Sequence, residues 1–197
     1  MSGPPEALLL SRREALLNSA ALALGMALSP AQIWAAAKDP ARQGTTPARA
    51  LVDDLCDAVI PATDTPGARI AGVGAFVEKA VAHGLRGAHE TLLTVFAAAL
   101  DAHSEGEYLQ QSEERRRALL ADIDARAFAN AQDDALPEAL RQWPVLKALI
   151  VVGYYTSEIG GSQELRYLLT PGRFDPDVRL KPGDRAWSSD WTGVKFA

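Results

Sequence analysis

From about Ala48 to Tyr155 the apolar residues of this chain recur at three- and four-residue spacing, and no alternating run of useful length occurs anywhere. Such spacing gathers side chains onto one stripe of a helix, whereas a half-buried strand needs strict alternation. Leu51, Val52, Leu55, Val59 and Ile60 mark a first helix over about 48–60. Pro61 closes it, because proline has no N–H to donate and disfavours helix in the residue before it. The next stretch, PATDTPGARIAG, is dense in turn residues and reads as an ordered loop with Pro66-Gly67 as its tight turn. Val73, Phe76, Val77, Ala80 and Val81 give a second helix over 73–83, and Leu92, Leu93, Phe96 and Leu100 a third over 88–103. A fourth should start at Ser112, whose hydroxyl can accept an orphan amide proton, with Glu113 and Glu114 at the positive end of the dipole. A fifth begins at Pro137 and is kinked or restarted at Pro144; Leu146, Leu149, Ile150, Val151 and Tyr154 make it the most buried element. From Gly160 the period is lost. The expected fold is all-α, a single small helical domain of five to six helices over 48–170. A long irregular C-terminal strap over 171–197 follows it.

Ahead of this domain stands SRREALLNSAALALGMALSPAQIWAAA, Ser11 to Ala37. Arg12 and Arg13, an apolar run to about Leu28 and the small residues Ala35-x-Ala37 have the order of a twin-arginine signal peptide over 1–37, with cleavage expected after Ala37. The run contains Asn18, Ser19 and Gly25 and falls short of the roughly 20 apolar residues that span a bilayer. Residues 38–47, KDPARQGTTP, read as a flexible lead-in. About 160 residues remain beyond the leader, enough for one core. The formal charge of -5 gives no footing for a polyanion, so nucleic acid is not an expected partner.

Folded export directs attention to a cofactor site, and the residues offer none. Gly72-x-Gly74 is followed by Val77 where a dinucleotide fingerprint needs a third glycine, and no strand precedes it. His83, His89 and His103 lack the spacing of a metal-binding pair. Arg115, Arg116 and Arg117 are flanked by acids and read as a solvated helix face. Cys56 is the one cysteine, beside the apolar stripe of the first helix; it is either a buried thiol or an intersubunit one. The catalytic, cofactor-binding and metal assignments for this chain are therefore all none. The tail GDRAWSSDWTGVKF carries Trp187, Trp191 and Phe196, large aromatic side chains on irregular backbone that fit an interface, and Tyr155 is a further candidate partner contact.

Two runs, DLCDAVIPATDTPGARIAGVGAFVEKAV from Asp54 to Val81 and GYYTSEIGGSQELRYLLTPGRFDP from Gly153 to Pro176, closely resemble segments of the gluconate 2-dehydrogenase subunit 3 family. The resemblance implies a small subunit, not catalytic by itself, that partners a large FAD-binding dehydrogenase of the glucose-methanol-choline type, commonly with a c-type cytochrome. FAD and haem c would then reside in those partners. It further implies a periplasmic complex, exported by the twin-arginine route with its flavin partner, whose membrane association comes only through the complex. Gluconate 2-dehydrogenase and glucoside 3-dehydrogenase activities are equally compatible with it. A free-standing exported binding protein, or a self-standing enzyme, are the alternatives.

Overall fold

The computed structural model describes residues 29–37, 47–104, 106–129, 135–168, 172 and 177–188. Among them run six α-helices: α1 (Pro30–Ala37), α2 (Pro47–Val59), α3 (Val73–Ala82), α4 (Leu92–His103), α5 (Glu113–Ala127) and α6 (Trp143–Tyr155). Short 3-10 turns precede α4, α5 and α6 at Leu85–Gly87, Tyr108–Gln110 and Leu140–Gln142, and a π-turn, Gly160–Glu164, follows α6. The fold is all-α, as the spacing predicts.

The apolar stripes meet in one core. Leu55 and Val52 of α2, Phe76 and Val77 of α3, Leu100 of α4, Ile123 of α5 and Leu146, Leu149 and Ile150 of α6 are all fully buried. Helix α3 is central, packing on α6, α1 and α2. Its contact with α6 is close because Gly153 faces it. A Cβ there would lie 2.7 Å from Phe76 and 2.9 Å from Val73, inside van der Waals contact.

Element starts differ from the sequence reading in two places, each with a local cause. Helix α4 begins at Leu92 rather than Ala88, because Gly84, Arg86 and Gly87 all take positive φ and turn the chain before it can wind. Pro137 does not open the last helix. Its carbonyl accepts from Leu140 at 2.9 Å in a turn, and α6 starts afresh at Trp143 with Pro144 in the first turn, where a missing N–H leaves no bond unmade. Ser112 caps α5 as expected, its Oγ accepting from the Arg115 N–H at 3.3 Å. The loop after α2 is pinned from three sides. Ala68 N–H donates to the Ile60 carbonyl at 2.9 Å, the Tyr154 hydroxyl donates to the Pro66 carbonyl at 2.9 Å, and Gly67 leaves no room for a Cβ above Ile60.

The strap is not wholly irregular. Its Trp187–Ser188 (β2) pairs in parallel with Arg166–Tyr167 (β1), register Arg166 to Trp187 and Tyr167 to Ser188. Two residues are too few to show alternation, which is why no strand is legible there. The lead-in at 38–46, and the arginine pair at Arg12 and Arg13, lie outside the described residues.

Candidate partner-binding surface

Among the described residues Ile70, Val95, Leu109 and Phe128 are singly placed large apolar side chains left exposed, and the remaining six lie from Tyr155 onward. Tyr155, Tyr167, Leu168, Val178, Leu180 and Trp187 are all exposed, Leu180 at 81% and Trp187 at 56%. The adjacent tyrosines of α6 divide as neighbours on a helix must. Tyr154 is buried and bonded to Pro66, while Tyr155 is 40% exposed and meets the Tyr154 ring edge-on at 5.2 Å.

The strap is fixed by polar tethers rather than by burial of its apolar residues. Arg166 N–H donates to the Ala186 carbonyl at 2.8 Å and Leu168 N–H to the Ser188 carbonyl at 2.9 Å. The Ser188 hydroxyl donates to the Gly161 carbonyl at 2.7 Å, and Arg185 reaches both the Gln163 carbonyl and Asp64. Asp64 is exposed, and a hydrogen bond from Thr63, together with Arg185, holds its carboxyl below the ordinary value. The Arg166 guanidinium lies 4.3 Å over the Trp187 ring, an arrangement that keeps the indole presented rather than collapsed. Trp191 and Phe196 lie outside the described residues.

Cys56 is completely buried. Burial, helped by the carboxylates of Asp53 and Asp57, pushes its thiol far above the ordinary value. A bond from this sulfur to another chain would require α2 to leave the core. Ala35 and Ala37 lie within α1, Ala35 on its exposed face and Ala37 buried.

Other polar groups serve the frame. Gly72 takes φ 75° at the start of α3, and a Cβ on Gly74 would lie 2.1 Å from Asp53 Oδ1, so Gly74 is the residue that lets Asp53 of α2 approach the α3 backbone. Asp53 itself is raised by burial, against the pull of Arg49. Arg116, read as part of a solvated run, instead makes an ion pair with Asp54 at 2.8 Å, and Asp54 also accepts from the buried Tyr108 hydroxyl at 2.9 Å. Asp54 lies more than fifty positions from both partners, so no local pattern announces the cluster. A shallow groove of about 310 Å³ lies between α2, α5 and α6, lined in part by Val59, Pro61, Leu120, Trp143 and Lys147. Of its two carboxylates, Asp57 and Asp124, the latter is engaged by the Trp143 N–H and the Lys147 ammonium, each at 2.6 Å. Among the described residues no group of three or more His, Cys, Asp or Glu could hold a metal ion, and no helix is long and apolar enough to cross a membrane.

Comparison with known proteins gives the frame for this surface. No curated protein and no solved structure matches the chain. The family model described as gluconate 2-dehydrogenase subunit 3 matches residues 47–172, from the first residue of α2 through the π-turn and β1. That span covers more than half of the sequence and holds every core helix from α2 to α6, and so the chain belongs to the gluconate 2-dehydrogenase subunit 3 family.

Proposed function

We propose that this chain is the accessory, non-catalytic subunit of an FAD-dependent dehydrogenase of the glucose-methanol-choline type acting on a sugar, glycoside or sugar acid. The observation that carries the reading is the family match over 47–172. In this reading the chain is exported to the periplasm by the twin-arginine route, carrying the folded flavin subunit with it, and a c-type cytochrome accepts the electrons. The leader Arg12-Arg13 supports the route, and a cofactor-loaded partner supplies the reason for folded export. The exposed aromatic strap supports an accessory role, because an indole held in place by a cation and a strand pair loses little freedom when a partner covers it.

The test is purification of the tagged full-length chain from its native host under conditions that preserve complexes, with a visible spectrum and sugar-dependent dye reduction on the product. A yellow companion with flavin bands and dye-reducing activity is the expected result. A lone colourless chain would overturn the proposal.

A further inference from the structure

The last residues of the leader are built and packed as part of the domain. Ser29 and Gln32 cap each other: the Gln32 N–H donates to Ser29 Oγ at 3.4 Å, and the Ser29 N–H to Gln32 Oε1 at 2.9 Å. With Pro30 as the first helical residue this is a capping box, a helix start written into the sequence at a defined place. The inward face of α1 carries Ile33 and Ala37, one turn apart and both buried, with Trp34 beside them.

The surface that receives α1 is shaped for it. The Trp34 indole packs on Phe76 of α3, ring centres 5.4 Å apart, and its N–H donates to the Gly153 carbonyl and the Thr156 hydroxyl of the α6 end, each at 3.2 Å. Gly72, in the left-handed region, lies under the same ring, and a Cβ there would already touch it at 3.8 Å. An indole that is bonded at its nitrogen and packed on a phenyl ring at a 33° tilt is fixed in orientation as well as in depth. A leader peptidase takes the residues before its scissile bond as an extended strand with small side chains. To present Ala35 and Ala37 in that form, α1 must unwind and both Ile33 and Trp34 must leave the core.

We infer that α1 is a permanent element of the mature domain, and that the bond after Ala37 stays intact in the folded protein. The seam between leader and domain then lies at or before Ser29. This holds whichever partner the strap meets.

The test uses the full chain from its native host, fractionated, with intact mass, N-terminal sequence and thermal melting. The expected product contains Trp34. Ala35→Arg puts a large cation on the exposed face, where a peptidase would require a small residue; the product keeps the wild-type N-terminus and melting temperature, and its mass rises only by the Ala-to-Arg difference. The double variant Ile33→Ser, Trp34→Ala lowers the melting temperature by roughly 5–10 °C, as loss of a buried aliphatic and an indole should in a domain of this size. A product beginning at Lys38, with Ala35→Arg accumulating as the longer precursor, overturns the inference. Identical melting of the double variant and the wild type overturns it as well. If the chain stays in the cytoplasm, the export reading fails while the melting comparison still decides the place of α1.

Discussion

Asp124 accepts from a ring N–H and an ammonium at once, and it shows how single side chains tie α5 to α6. Burial alone would raise its pKa, but the Lys147 ammonium and the Trp143 N–H outweigh burial and hold the carboxyl below its ordinary value. A depressed acid stabilises the fold fully above its unfolded pKa, near 3.9, and that contribution is lost as the pH falls through the folded value. Asp124→Asn keeps an acceptor for Trp143 but removes the ion pair. Denaturant unfolding should show a loss of about 1 kcal/mol that is constant above pH 5 and shrinks below about pH 4. The same logic explains Arg116. Its guanidinium is drawn to Asp54 by a hydrogen bond and an ion pair, which raises its pKa and turns one member of a basic run inward.

Between elements, the decisive contact is the crossing of α3 and α6 at Gly153. Gly153→Ala places a methyl group against Phe76 and Val73, both fully buried, and also disturbs the carbonyl that receives Trp34. Overpacking of this kind costs about 1–3 kcal/mol, and the expected outcome is a lower melting temperature with unchanged helical content by circular dichroism. The helices were legible because sets such as Leu51, Val52 and Leu55, Val73, Phe76 and Val77, and Leu146, Leu149 and Ile150 recur at helical spacing within one element and are all buried. Helix α1 was not, because an apolar leader and an amphipathic helix share one composition, and only Trp34's bonds across the chain to Gly153 and Thr156 tell them apart. The Asp54–Tyr108–Arg116 cluster and the β1–β2 pair escaped for the same reason. Their partners are far apart in sequence, and neither leaves a repeating pattern.

For the molecule as a whole, the division is between a closed core and an open strap. Trp187→Ala removes an indole that the domain does not bury, so the melting temperature of the isolated chain should stay within about 1 °C while affinity for the dehydrogenase subunit falls at least tenfold in a titration. Equal loss of both would assign Trp187 to the chain's own stability. Replacing Arg12 and Arg13 by lysines should leave both subunits in the cytoplasm, read by fractionation and dehydrogenase activity; normal export of the partner would separate the two proteins' routes. Trp187 was singled out by its residue type alone, whereas the strap's tethering by Arg185 and Ser188 runs to backbone carbonyls that carry no sequence signal.

The position of Cys56 gives the molecule a built-in clock. It is the sole sulfhydryl, sealed between α2 and the rest of the core, so an alkylating reagent reaches it only in molecules that have opened. Its modification rate, divided by that of an unfolded chain under the same conditions, is the fraction of time the core stands open. Stability could thus be followed with an ordinary thiol reagent while the chain remains bound to its partner, without denaturant and without an added label.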